Sequence, residues 1–458
     1  MSLTGVQASS LIGRAAPLAF VFAAVGVAFV AYGFIRLASH FSHAGSVYAF
    51  TGLSLGPRAG FFSGWALLGT YLVFPTVSVM GIAVFGQAFL KSTGIASAPP
   101  WWPLAIGGWA LIGLLAWRGV KTTTRSLLAV ELVAVVLILA LVVVIFVKLA
   151  AGAAPRGLGY SSAFLHIPSG VGLSTIVFAA SAGFLSFAGF EAAGSFGEES
   201  ERPTHTIPRS IVAAIAFGSV FYVVCMVAQT LGFGTDAAGI RAFSHSGAPL
   251  GDLGKSYLDS AAADVLDLVA ILSAVGAGLG CASVGARMLF ALGRDGLLAR
   301  RLSGVSRSTG TPAPALALEL LVQLGLIVSF AIAGTPAIKV FFYLATIGIL
   351  NLLVMYVVTN LGALRYLFLA GARRVPFWEI VFPLGGIGFA IYTLYKNLWP
   401  VPPHPFDLFP YVVAAWLAVG VAAAFLVPGL AARVDGQLRA RTGTDDLSPA
   451  AAPVPTVT

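Results

Sequence analysis

Charge is what this sequence has least of: only 9% of its 458 residues are Asp, Glu, Lys or Arg, where a soluble domain carries roughly 25%. That scarcity excludes a soluble globule. Cysteine is nearly absent too. Cys225 and Cys281 are the two present, both inside long apolar runs, so no disulfide framework holds the chain and they say nothing of redox compartment. The histidines do not gather: His40 and His43 stand three apart, and His166, His205, His245 and His404 are scattered, so no metal site is expected. There is no nucleophile elbow, no metalloprotease His pair and no phosphate-binding Lys loop. That leaves no visible catalytic set for an enzyme, no cofactor requirement and no motor for an ATP-driven pump. The opening MSLTGVQASSLIGR lacks the basic n-region and small-residue cleavage site of a signal peptide.

What the chain has is hydrophobic surface, 58% of its residues, in blocks of about twenty. That is the length a helix rising ~1.5 Å per residue needs to cross a ~30 Å hydrocarbon core. The fold class expected is an all-α polytopic membrane protein. Eleven spans fall near 15–36, 59–88, 101–117, 126–149, 171–197, 208–232, 262–289, 312–334, 338–363, 377–396 and 409–430. The half-polar stretch 38–58 reads as an interfacial helix. Residues 1–430 form the transmembrane domain, and 431–458, short of apolar residues, is expected to be a disordered cytoplasmic tail.

The net charge of +9 comes from basic residues spread singly through short loops, which argues against a nucleic-acid partner. Topology explains them better. Sorting them by alternate loops puts 18 of the 26 Lys and Arg on one side, among them Arg36, Arg118, Arg202, Arg300, Arg374 and Arg433. By the positive-inside rule that side is cytoplasmic, in a cytoplasmic membrane, and the C-terminus lies there. Eleven spans then put the N-terminus outside with almost no polar sequence ahead of the first span. An upstream helix is therefore expected, whether it is lost to a misassigned start, a pseudogene or a truncation.

Three stretches resemble the amino acid, polyamine and organocation transporter family, and the match runs over nearly the whole chain. They are SHAGSVYAFTGLSLGPRAGFFSGW, FLSFAGFEAAGSFGEESERPTHTIPRSI and SVGARMLFALGRDGLLARRLSGVSRSTGTPAPA. On that resemblance the spans correspond to family helices two to twelve of a LeuT-type inverted-repeat fold, and Ser2 to Val6 is similar to the tail of the first helix. The glycine-rich break of that first helix is not found. The resemblance implies secondary transport of an amino acid or amine, proton-coupled or by exchange, through alternating access; the alternative is a truncated, non-transporting membrane fragment or subunit.

A charged side chain at the bilayer centre costs at least ~2.5 kcal/mol, so an intramembrane acid needs a partner, water or a proton. Glu191 and Glu131 are the two acids singled out as proton-coupling candidates. Glu191 lies among Gly183, Gly189, Gly194 and Gly197. Glycines permit either a helix break lining a cavity or merely close helix packing. On the first reading Leu185, Ser186, Phe187, Ala188, Gly189 and Phe190 bind substrate, with the freed carbonyls around Leu185, Ser186 and Ala188 accepting from an ammonium group. Glu131 occupies the neighbourhood where some proton-coupled relatives carry a lysine; it also stands close enough to Arg118, Lys121 and Arg125 to be ion-paired. Tyr71, Phe184 and Tyr343 are gate aromatics or core filler, and Ser273, Ser283 and Asn351 touch substrate or bond between helices. Asp264, Asp267, Glu319 and Glu379 stand toward the starts of spans, where a small boundary shift puts them at the interface. Glu198, Glu199 and Glu201 form an inner gate with Arg294 or Arg125, or a solvated turn. Gly276, Gly278 and Gly280 follow no strand and are read as helix packing rather than a nucleotide loop.

The charge asymmetry generates a test. A single cysteine at the tail, Ser448→Cys, stays unlabelled by a membrane-impermeant thiol reagent in intact cells and reacts once the membrane is opened; labelling in intact cells contradicts the topology.

Overall fold

The computed structural model describes residues 1–41, 47–97, 99–118, 120–307, 309–371 and 373–442, with the side chains of 120–127, 195–199 and 437–442 excepted. Among these residues the chain is helical and contains no strand. The first helices are α1 (Ser2–Ile12), α2 (Ala16–His40), α3 (Val47–Leu55), α4 (Pro57–Ser92), α5 (Trp101–Trp117) and α6 (Val120–Ala150). There follow α7 (Leu173–Phe187), α8 (Pro203–Phe233), the short α9 (Ala237–Ser244) and α10 (Pro249–Tyr257), and α11 (Ser260–Arg294). The last are α12 (Ala313–Ile332), α13 (Ala337–Leu364), α14 (Val381–Lys396), α15 (Phe409–Leu426) and α16 (Leu430–Thr442).

Ten stretches are long and apolar enough to cross a membrane, α1 and α2 counting as one, and α5 is a shorter apolar helix. At ~1.5 Å per residue α5 is about 25 Å long. Every expected span falls on one of these helices. α1 is set off from α2 by a turn at Gly13, whose φ of 57° lies in the left-handed region. The surface of α6 carries Leu128, Leu132, Val136, Val143 and Val147 uncovered, an apolar stripe suited to lipid rather than water.

α4 is the central helix: it packs against α11 on one side and α13 on the other. Two indoles fix α15 to it. Trp65 and Trp416 stack with centroids 4.4 Å apart, and each ring N–H donates to the other residue's carbonyl, at 2.8 and 3.1 Å. α2 runs between α7 and α8, with α14 and α13 also against it. Its contact with α7 is close because Gly183 leaves no room for a Cβ beside Ala23. At the other end of α2, Arg36 grips Glu379 with Nε at 2.9 Å and Nη2 at 2.6 Å, and Tyr32 donates to the same carboxylate. Glu379 is thus a paired acid, one of the four left unassigned on sequence.

Two expectations change, and one open position is settled. α3 is not interfacial: Val47, Tyr48, Phe50, Thr51 and Ser54 are buried, because Gly60 and Gly64 of α4 admit its backbone and the Tyr48 side chain at close range. Its C-terminal carbonyl at Ser54 accepts from Arg365 at 2.9 Å, which satisfies a helix end away from water. Glu319, open on sequence between span and boundary, is fully buried by its neighbours. Helix α16 occupies 430–442, where Leu430 and Val434, one turn apart, are buried and the helix lies against α4 and α3; the rest of the expected tail, 443–458, falls outside the described residues.

Candidate functional site

The helix carrying Glu191 stops in mid-course. α7 ends at Phe187, Ala188 turns to an extended conformation with ψ 133°, and Gly189 takes φ 119°, a value that side chains with a Cβ rarely adopt. A 3₁₀ segment, Phe190–Glu199, then continues. The break therefore lies within the interval that the glycines marked. The glycines divide the two readings between them. Gly183 serves packing against α2, Gly189 serves the break, and Gly194 makes only ordinary contact with Phe50 at 3.5 Å; Gly197 lies among the residues whose side chains are not described.

The break redirects main-chain bonds. The Gly189 amide, which in a continuous helix would bond to the Leu185 carbonyl, donates instead to Glu191 Oε2 at 3.1 Å. Ala188 N still reaches Phe184 O at 3.0 Å, and Ala192 N reaches Gly189 O at 3.0 Å. Among the described residues the chain closes here only as a turn at Ala188–Gly189, with no short main-chain bond onto the carbonyls of Leu185, Ser186, Phe187 and Ala188. Phe187 thus joins the carbonyls of Leu185, Ser186 and Ala188 that the sequence singles out.

Glu191 is buried at 1% exposure and holds three donors. Tyr71 of α4 donates to Oε1 at 2.9 Å, Tyr356 of α13 to Oε2 at 3.0 Å, and the Gly189 amide is the third. A carboxylate is an acceptor only, so this arrangement meets most of its needs without a cation. Phe190 stacks on Tyr356 at 5.4 Å and meets Phe34 of α2 edge-on at 5.5 Å. Phe187 sits edge-on to Tyr222 of α8 at 5.0 Å. α1 reaches the same place: Thr4 Oγ1 and Ser186 Oγ are 2.7 Å apart. On one side of the break a narrow cleft is lined by Gln7, Ser181, Leu185, Thr346, Asn397 and Phe406.

Other expected residues go elsewhere. Glu131 is on α6, exposed, and accepts from Ser273 Oγ of α11 at 3.2 Å; the side chains of Lys121 and Arg125 lie outside the described residues. Tyr343 packs with Phe406 and Phe409, centroids 5.5 and 5.3 Å away. Phe184 lies against Phe389 at 5.0 Å. Ser283 and Asn351 spend their donors within their own helices, on Leu279 O and Ile347 O. For the inner gate, Arg294 pairs with its neighbour Asp295 at 3.3 Å, Glu201 is exposed, and the side chains of Glu198, Glu199 and Arg125 are among those not described. Tyr356 and Thr4 are the residues that sequence reasoning passed over. A signal for Tyr356 existed: Asn351, Tyr356, Thr359 and Asn360 are polar groups crowded into one apolar span.

With this geometry in view, comparison with known proteins is decisive. The amino acid permease family model matches residues 4–393. The chain belongs to the amino acid permease family. Relatives include a methylthioribose transporter of Bacillus subtilis, 25% identical over 93% of this chain and 88% of that protein. The branched-chain amino acid permease BcaP of Bacillus subtilis is 26% identical over 68% of this chain and 66% of its own length. The low-affinity putrescine importer PlaP of Escherichia coli is 24% identical over 63% and 61%. The permease is a multi-pass membrane protein of a transporter family, with helices consistent with the LeuT-like fold.

The two tyrosines give a stability test. Tyr71→Phe and Tyr356→Phe each remove one bond to a buried carboxyl and each cost about 1–3 kcal/mol. Because both bonds end on one carboxyl, the double variant departs from additivity by roughly 0.5 kcal/mol or more. Unfolding of the detergent-purified variants measures this; strict additivity contradicts a shared carboxyl.

Proposed function

We propose that this permease carries a small amine-bearing substrate, an amino acid or a related amine, across the cytoplasmic membrane by secondary transport. The observation that carries the reading is the break at Ala188–Gly189, with the open carbonyls of Leu185, Ser186 and Phe187 next to Glu191. Unclaimed carbonyls at membrane depth suit an ammonium group, which has three donors and no acceptor. Irregular backbone in this medium is tolerated where it lines a cavity, and transporters of this architecture bind at such breaks. The printed cargoes of the relatives, methylthioribose, branched-chain amino acids and putrescine, differ enough that the substrate class is read from the site. Alternating access then consists of opening the break first to one face and then to the other.

Protons enter through Glu191. In the carboxylate form both oxygens accept, and Tyr71, Tyr356 and the Gly189 amide tie α4, α13 and the break together. Protonation at Oε1 reverses the bond to Tyr71: the acid donates, and the tyrosine hydroxyl must place its own proton elsewhere. The tie between α4 and the break is thereby rewritten by a single proton. Glu131, held by Ser273 at the α6–α11 surface, is a second candidate for coupling. The tail and the basic loops face the cytoplasm.

Glu191→Gln fixes a neutral head of nearly the same volume. The variant still binds substrate but loses the pH dependence of uptake across about pH 5 to 8, measured in proteoliposomes at matched protein with labelled amino acids and diamines. An unchanged pH profile contradicts the coupling role; loss of folded protein with the profile intact in the remainder assigns Glu191 to structure.

A further inference from the structure

One acid buried in the membrane domain, Glu319, is accounted for by neither the break nor the ion pairs. Glu319 of α12 has 0% exposure, and so has Gln323 one turn further along the same face. All four of their head-group atoms lack a hydrogen-bond partner. The Glu319 carboxyl rests directly over Gly285 of α11, so close that a Cβ there would collide with both of its oxygens. The Ala286 amide approaches the carboxyl, and an interior helical amide is committed to its own ladder.

The contrast with the other buried acids is what matters. Glu191 receives three donors, and Glu379 receives a guanidinium and a phenol. Among the described residues no side-chain donor and no cation reaches Glu319. Among the described residues the packed helices offer no counter-charge either. α5 has no titratable residue in its sequence, and α12 has none but Glu319. α4 carries Arg58 and Lys91 at its ends and Tyr71, which is bonded to Glu191. Arg300 and Arg301, on the 3₁₀ turn that touches α12, are exposed. On α11, Arg287 lies two residues beyond Gly285 and so on a different face. Cys281, one turn before Gly285, is the titratable residue on that face of α11.

We propose that Glu319, backed by Gln323, is a second proton-binding site of the permease, separate from Glu191. The step is simple binding: a proton adds to one carboxylate oxygen and converts an unpaired charge into a neutral acid. A carboxamide suits the acid as a neighbour, since it both donates and accepts but cannot neutralise a carboxylate. Glu319 holds its proton while α11 and α12 are in contact over Gly285 and releases it when water reaches that contact. The site rests on the reading of the chain as a transporter only for its use, not for its existence.

The test is therefore made on the purified full chain in lipid nanodiscs, without substrate. Infrared difference spectra recorded across about pH 5 to 8 show a protonated-carboxyl band that shifts in deuterium oxide. This band is lost in Glu319→Gln and retained in Glu191→Gln, and acid–base titration of Glu319→Gln takes up a single proton fewer per chain. A band and titration unchanged by Glu319→Gln overturn the proposal. Should that variant fail to accumulate, Gln323→Leu decides: the Glu319 band moves when its polar neighbour is removed, and an unmoved band overturns the pairing. Failure of the Glu191 coupling reading appears separately, in the uptake profile of Glu191→Gln.

Discussion

A main-chain amide that leaves its helix inside a membrane must find another acceptor, because the hydrocarbon offers none. In this permease the Gly189 amide finds Glu191, two residues ahead. That one bond makes the break in α7 tolerable, and the rest of the site is arranged around it. Glycine alone supplies the φ of 119° that turns the amide away from Leu185. The acid that receives it is in turn held by tyrosines from α4 and α13, so the broken segment is anchored at its centre while the carbonyls before it stay unclaimed.

The packing of the long helices follows from the same need to bring different elements to one point. α4 is the axis because it touches both α11 and α13 and carries Tyr71. α2 brings Phe34 to the Phe190–Tyr356 stack, and its own position is set by the Arg36–Glu379 pair at one end and by the Gly183 contact with α7 further along. Three of the buried acids differ in what surrounds them. Glu379 is neutralised by an arginine, Glu191 is solvated by hydroxyls and an amide, and Glu319 has neither.

The spans were legible because a run of about twenty apolar residues has one physical use, and the break was legible because glycines beside an intramembrane acid have few. Packing was not legible. α3 looked interfacial because its polar residues, Thr51 and Ser54, bond to their own backbone and to Ser63 rather than to water. Glu319 stood open between span and boundary because hydropathy marks where a span begins only within several positions, whereas burial depends on the neighbours that α11 and α5 provide. Tyr356 was hidden for a related reason: an aromatic within an apolar span has the same local signature whether it fills space or donates a hydrogen bond. The resemblance to a known family carried the function, and the geometry of Leu185–Glu191 carried the choice of site within it.

The central claim is that substrate sits on the open carbonyls beside the break. The most direct measurement places a reporter there: Ser186→Cys, half-buried and facing Thr4, is alkylated by a small thiol reagent in proteoliposomes with and without each member of a panel of amino acids and diamines. The account predicts that the compound accumulated by the unsubstituted protein slows the alkylation of Cys at 186. Alkylation at the same rate in the presence of that transported compound contradicts it.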